Sequence, residues 1–170
     1  MRFHKFFASF AMSAIVTAAL VVAAPTASAA AKYCYYDITV QSGQCFYRHQ
    51  ALQDYRAAQA GYDYIHVVNW VNFNTGGGVQ IIGGATRCTL AIDNEGKKLP
   101  NLTTLRYLLP NGQAGETLDN SISSVKTYNT CVVQFFEGLN YTGAQSPWMG
   151  STADTSVYDF YDRATSLDIT

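Results

Sequence analysis

The sequence predicts an all-β fold, an antiparallel β sandwich or barrel, from its patterning and its composition. Short runs of alternating apolar residues recur along the chain, and clusters of Gly, Pro or Asn separate them. All 13 glycines and all 12 tyrosines lie after residue 30, where charged residues are few. Tyr, Thr and Val favour strands and Gly favours turns, so helices should be rare in this part of the chain.

Residues 1–29 have the three parts of a secretory signal peptide. Arg2 and Lys5 begin it, an apolar run covers residues 6–24, and Ala27-Ser28-Ala29 ends it with small residues. We therefore expect cleavage after Ala29 and a secreted, extracellular protein. A membrane anchor is the alternative, but the alanine-rich run and the adjoining A-x-A site favour cleavage.

The charge balance of the remaining chain limits its partners. Nine Lys and Arg face twelve Asp and Glu once residues 1–29 are removed. This mildly acidic chain has no basic patch that would suit nucleic acid or an anionic membrane. It also has no second apolar run long enough to cross a bilayer, so neither partner is predicted.

The secondary structure can be placed in outline. Residues 50–60 alone have a helical composition, and they form either a short helix or a loop. Seven segments have the pattern of short strands: 64–71, 79–82, 88–92, 105–109, 125–128, 131–136 and 166–169. Turn clusters lie between them at 75–78, 83–84, 110–112 and 137–138.

The chain contains an internal repeat of 42 to 43 residues. Residues 88–96 and 131–138 both begin with Cys, continue as an apolar run and reach Glu-Gly. About thirty residues later come two similar segments, 119–125 and 161–167. A weaker third copy would begin at Cys45-Phe46-Tyr47 and end at residues 73–79, with glycines in place of the serines.

This repeat resembles the Greek-key motif of the βγ-crystallins. That motif has an aromatic residue followed seven positions later by glycine, as Phe136 and Gly143 are, and later a segment (N/D)(N/D)xx(S/T)S. Residues 119–124 match that segment at all four specified positions. Residues 161–166 match three, because Tyr161 replaces the first Asn or Asp.

The resemblance implies a domain organisation for the whole chain. Two motifs at residues 86–170 would form an antiparallel Greek-key β-sandwich of βγ-crystallin type. Residues 30–85 would be an N-terminal extension with a partial third Greek key and the short helix, if that helix forms.

The resemblance also implies a Ca²⁺ site in each repeated loop, with ligands shared crosswise between the loops. Such sites suit Ca²⁺, which takes six to eight oxygen ligands. Asp119 begins the first loop, and the implied ligands are side-chain oxygens of Asn120, Ser123, Asp162 and Thr165, with backbone carbonyls near Ser121, Arg163, Glu95 and Glu137. The alternative is structural, because Ser124 and Ser166 would fix the folded hairpins without metal. Arg163 also brings a cation near the second site.

Four cysteines, Cys34, Cys45, Cys88 and Cys131, all follow the signal peptide, so two disulfides are expected. Four cysteines can form two disulfides in three ways, and their number alone does not choose among them. The chain has no CxxC motif, and only two histidines, His49 and His66, follow the signal peptide. A structural zinc site or a thiol redox centre is therefore not expected. Given the repeat, we expect Cys34–Cys45 as a local closure and Cys88–Cys131 as a link between the two motifs.

Residues 119–125 and 131–145 also resemble small secreted bacterial peptidase inhibitors that act on metalloproteinases. This resemblance implies an extracellular protease as partner, bound by a monomer through a rigid loop. Residues 99–115, with Tyr107, Pro110 and Gly112, are one candidate loop, although a plain hairpin connection explains them as well.

Two other function classes have weaker support. His49 and His66 could act as bases oriented by Asp54 or Asp63, but no nucleophile has a recognisable context, so an enzyme is not predicted. A cell-wall, carbohydrate or toxin-like binding module without metal is the alternative function. Its candidate contacts are aromatic residues that would otherwise belong to the core: Tyr55, Tyr62, Tyr64, Trp70 and Trp148.

Overall fold

The computed structural model describes residues 33–59, 61–89 and 97–170. The predicted signal peptide and Glu95 lie outside these residues. The described part forms one α-helix, α1 (His49–Ala58), and ten strands: β1 (Tyr33–Asp37), β2 (Ser42–Phe46), β3 (Tyr62–Val68), β4 (Val79–Gly84), β5 (Lys97–Leu99), β6 (Arg106–Leu108), β7 (Ala114–Thr117), β8 (Ser124–Thr127), β9 (Val133–Phe136) and β10 (Ser166–Ile169). No helix in these three ranges is long and apolar enough to cross a membrane.

The strands form two sheets. The larger has the order β2-β1-β4-β3-β8, and the hairpin of β6 and β7 joins it through a pairing of β6 with β4. The smaller has the order β5-β10-β9. Every pairing between these strands is antiparallel except that of β1 with β4.

Two Greek keys are recognisable in this topology. In the first unit, β3 lies between β4 and β8, while the third strand, β5, pairs with β10 in the other sheet. In the second unit, β9 pairs with β10 and contacts residues 145–149, while Thr152 pairs with Val125 of β8. Each unit therefore gives its third strand to the sheet of the other, and the predicted Greek-key β-sandwich is confirmed.

β3 pairs with β8 in the way that β9 pairs with β10, so β3 has the position of an opening strand. The partial third Greek key expected in residues 30–85 stays a prediction. The boundary expected at residue 86 stays a prediction, and strands on both sides of it share the larger sheet.

The main core fills the space between the two sheets. Side chains from both contribute, including Val67 and Val125 from the larger sheet and Phe135 and Leu167 from the smaller. A second cluster lies under α1, where Leu52 packs with residues of β1, β2 and β4. This packing stabilises a helix of only ten residues, which would be marginal alone.

Both expected disulfides are confirmed. Cys34–Cys45 joins the directly paired strands β1 and β2. Cys88–Cys131 joins the chain after β4 to the chain before β9, and so links the two Greek-key units.

Candidate metal site between the repeated loops

The loops at residues 119–124 and 161–166 lie against each other in a reciprocal arrangement. The Asn120 N–H donates to the Ala164 carbonyl at 2.9 Å, and the Asp162 N–H donates to the Ile122 carbonyl at 3.3 Å. Asn120 and Asp162 are equivalent in the repeat, and both have φ of 51°. Asn and Asp tolerate this left-handed conformation better than most residues, which explains their presence in the motif.

The last serine of each motif holds a folded hairpin. Ser166 Oγ donates to the Gly138 carbonyl at 2.6 Å and accepts from the Tyr141 N–H at 3.0 Å. Ser124 Oγ donates in the same way to the Trp70 carbonyl at 2.6 Å. The hairpin of the first unit therefore begins near Trp70.

Ser123 and Asp162 make the crosswise contact that the resemblance implied. Ser123 Oγ lies 2.8 Å from Asp162 Oδ1 and also within hydrogen-bond reach of the Asn69 carbonyl. A hydroxyl group has one hydrogen, so it cannot donate to both acceptors at once. A proton on Asp162 or a cation would relieve this excess of acceptor oxygens.

A second carboxylate lies near this contact. Asn69 Nδ2 donates to Glu116 Oε1. Burial raises the pKa of Asp162, and the negative charge of Glu116 raises it further, although the Ser123 hydrogen bond acts in the opposite direction. Glu116 and Asn69 were not identified from the sequence, because neither belongs to the repeated motif.

The second loop has a different electrostatic environment, because it already contains a cation. Arg163 Nε donates to Glu137 Oε1 at 2.7 Å, and Arg163 NH1 lies 2.6 Å from Asp159 Oδ2. Hydrogen bonds to Asp159 and then Glu137 raise the pKa of Arg163. Within the described residues, Thr165 and Asn120 make no hydrogen bond corresponding to that of Ser123 with Asp162. The two half-sites are thus unequal.

The remaining predicted ligands have separate surroundings. The Ser121 carbonyl accepts from the Tyr107 hydroxyl at 2.9 Å, so one of its lone pairs is in use. Asp119 Oδ1 is buried and has no hydrogen-bond partner among the residues that the structure describes. These residues contain no group of three His, Cys, Asp or Glu that could hold a metal ion. A cation at the loops would therefore rely mainly on carbonyl and hydroxyl oxygens.

The candidate inhibitory loop forms an ordinary hairpin. The Leu109 N–H donates to the Gln113 carbonyl at 2.9 Å, and the Gly112 N–H donates to the Leu109 carbonyl at 2.8 Å. Gly112 has φ of 78°, which suits glycine in a tight turn. Tyr107 is buried and bonded to Ser121, so it does not present its ring to a partner.

The aromatic residues considered for sugar binding do not form one surface. Tyr64 is fully buried and donates its hydroxyl to the Thr86 carbonyl. Trp70 is half exposed, and its ring covers Gly76 and Gly77, where a Cβ atom would come within 2.7 and 2.6 Å of the ring. Tyr55 packs against Tyr35 and Phe46.

The chain was compared with family models, curated proteins and solved structures. No family model matches the chain, and no curated protein matches it. A solved structure from work on the evolution of the eye-lens βγ-crystallin domain fold is 14% identical, covering 64% of this chain and 85% of its own, with a TM-score of 0.42. A doubly substituted βγ-crystallin domain from Clostridium beijerinckii is 17% identical, covering 64% and 97%, also with a TM-score of 0.42.

Two features of the described residues carry the resemblance to the βγ-crystallin Greek key. They are the two folded hairpins, each held by a serine, and the exchange of third strands between the two sheets.

Proposed function

We propose that the protein is a secreted, non-catalytic Ca²⁺-binding module with one principal site, formed by the two repeated loops at Ser123 and Asp162. The observation that carries the proposal is the excess of acceptors around the single hydrogen of Ser123 Oγ. A divalent cation would coordinate the Asp162 carboxylate, the Ser123 hydroxyl and the Asn69 carbonyl. Water would complete its coordination.

One site is favoured over two because Arg163 already pairs with Glu137 and Asp159 beside the second loop. A guanidinium there repels a divalent cation, although exposure to solvent reduces this effect. Extracellular Ca²⁺ sites with dissociation constants of about 10⁻⁴ to 10⁻³ M are useful where the ion is abundant. A weak single site is consistent with this range.

Calorimetric titration of Ca²⁺ into the protein lacking residues 1–29 tests the proposal. We expect one Ca²⁺ per chain, and a large loss of affinity in Asp162→Asn. Asp54→Asn is the matched control, because Asp54 is an exposed residue of α1 that accepts a hydrogen bond from Gln50 and lies outside both repeated loops. No heat of binding and no increase in melting temperature at millimolar Ca²⁺ would remove the metal from the function.

Inhibition of an extracellular metalloproteinase stays a prediction. The hairpin at residues 106–117 is held by strand pairing and turn hydrogen bonds, which supply some of the rigidity that an inhibitory loop needs, and this is all that supports the prediction. Incubation with a thermolysin-like protease and with a serine protease separates the possibilities. Inhibition of neither would leave a binding module.

A further inference from the structure

A cavity with both polar and apolar walls lies between α1 and the strands β3 and β4, and it shares no residue with the repeated loops. Its volume is about 450 Å³, which is within the range of small-molecule sites. The helix contributes His49, Gln53 and Arg56, which are three or four positions apart and so share one face. The strands contribute Asp63 and His66 opposite them.

These polar side chains form a connected group. Arg56 NH2 lies 2.8 Å from Asp63 Oδ2, and His66 Nε2 lies 3.5 Å from the same oxygen. The Tyr128 hydroxyl lies 3.1 Å from His66 Nδ1 on the far side of the ring. If the hydroxyl donates to Nδ1, the ring proton stands on Nε2, which is the tautomer that the Asp63 carboxylate favours.

The same group has unused hydrogen-bonding capacity. Arg56 Nε, Asp63 Oδ1 and His66 Nε2 are all buried, and none has a hydrogen-bond partner in the part of the chain that the structure describes. Buried polar atoms in native proteins nearly always have a partner. Three such atoms lie on residues that line one cavity, where a bound water or a small polar ligand would complete their hydrogen bonds.

We propose that this cavity binds a neutral, polyhydroxylated ligand of monosaccharide size. An anion would meet the charge of Asp63, and a cation would meet that of Arg56, so the ion pair disfavours both. A hydroxyl group both donates and accepts, and adjacent hydroxyls would match the Asp63 Oδ1 acceptor and the Arg56 Nε donor.

The walls of the cavity suit the same ligand. Tyr33 and His49 both line it in an edge-to-face arrangement, with ring centroids 5.4 Å apart, and the face of one ring could pack against the C–H face of a sugar. Asp63 Oδ1 and His66 Nε2 have almost no exposed surface, so the Asp63 carboxyl and the His66 ring would have to rotate for a ligand to reach these atoms.

Titration of the protein with glucose, galactose, mannose and N-acetylglucosamine, followed by backbone amide NMR, tests the proposal. We expect at least one sugar to shift resonances of α1 and β3 in a saturable way at millimolar concentration. Gln53→Trp fills the cavity without touching the ion pair and should abolish these shifts. Gln50→Trp is the matched control, because Gln50 lies on the exposed side of the same helix and does not line the cavity.

Asp63→Asn provides a second variant, which removes the carboxylate charge and should weaken binding at least tenfold. Its amide spectrum shows directly whether the fold is retained. If Asp63→Asn does not fold, the result for Gln53→Trp alone tests whether the sugar binds in the cavity. No saturable shift with any of the four sugars would overturn the proposal. Shifts that persist in Gln53→Trp, or saturable binding of glycine or inorganic phosphate in place of sugar, would also overturn it. The Ca²⁺ titration is a separate measurement, so either proposal can fail alone.

Discussion

Ser124 and Ser166 have the same role in the two halves of the sandwich. Each hydroxyl donates to the carbonyl of a residue at the start of a folded hairpin, Trp70 or Gly138, at 2.6 Å in both cases. Both serines are fully buried at the start of the last strand of their unit. The hairpins therefore depend on a contact between parts of the chain that are 54 and 28 residues apart.

Replacing either serine by Ala should destabilise the protein. The substitution leaves a buried carbonyl without its donor, and in Ser166→Ala the Tyr141 N–H also loses its acceptor. We expect each variant to lower the free energy of unfolding by about 1–3 kcal/mol, with the larger loss for Ser166→Ala. Urea denaturation measures the change, and Ser42→Ala on the exposed part of β2 is the control. Losses equal to that of the control would contradict the role of the serines.

Asp162 should make stability depend on pH when Ca²⁺ is removed. Burial raises the pKa of this carboxyl above its value in the unfolded chain, so the folded state binds the proton more tightly. Its contribution therefore favours folding at acid pH and is lost as the pH rises through the folded-state pKa. Asp162→Asn cannot ionise, so the stability of this variant relative to the native protein should increase from acid to neutral pH.

Urea denaturation of both proteins in a chelator, between about pH 3 and pH 7, measures this difference. Carboxyl groups that do not interact with Asp162, Asp168 among them, contribute equally to both proteins and cancel. A constant difference across the range would show that Asp162 does not have a raised pKa.

Glu116 should contribute to Ca²⁺ binding although it lies outside both motifs. Its charge acts on Asp162, and it bonds to Asn69, whose carbonyl contacts Ser123. We expect Glu116→Gln to weaken Ca²⁺ binding about tenfold, or about 1.4 kcal/mol. Glu137→Gln is the matched control, because that carboxylate is bound by Arg163 and should matter less. Calorimetry measures the Ca²⁺ affinity of both variants. A larger loss of affinity in Glu137→Gln would show that Ca²⁺ binds at the second loop.

The two disulfides should differ in their contribution to stability. Cys88–Cys131 closes a loop with a sequence separation of 43 residues, and Cys34–Cys45 closes one of 11. A longer loop loses more chain entropy when it is closed, which gives an expected difference of about 1 kcal/mol in favour of Cys88–Cys131. Urea denaturation of the two paired Cys→Ala variants tests this. A larger loss from removing Cys34–Cys45 would show that the local β1–β2 hairpin matters more than the link between units.

Local sequence was sufficient to predict several parts of the structure. Alternating apolar residues marked β3, β4, β6 and β8–β10 to within a few residues. The polar strands β2, β5 and β7 have no such pattern, because they are short and their sequences, SGQCF, KKL and AGET, contain few apolar residues. They are strands only because a neighbouring strand offers them hydrogen bonds.

Residue types at fixed local spacings were enough to predict the β class and the two motif loops with their terminal serines. The position of the first hairpin depends on a tertiary contact, the hydrogen bond from Ser124 to the Trp70 carbonyl. Asn72 and Phe73 adopt left-handed φ values of 58° and 55°, as Asn140 and Tyr141 do, but Val68 and Thr75 stand where Phe136 and Gly143 mark the second hairpin. Tertiary structure also brought Asn69 and Glu116 to Asp162. Contacts between residues this far apart along the chain depend on how the sheets pack, and no local spacing records them.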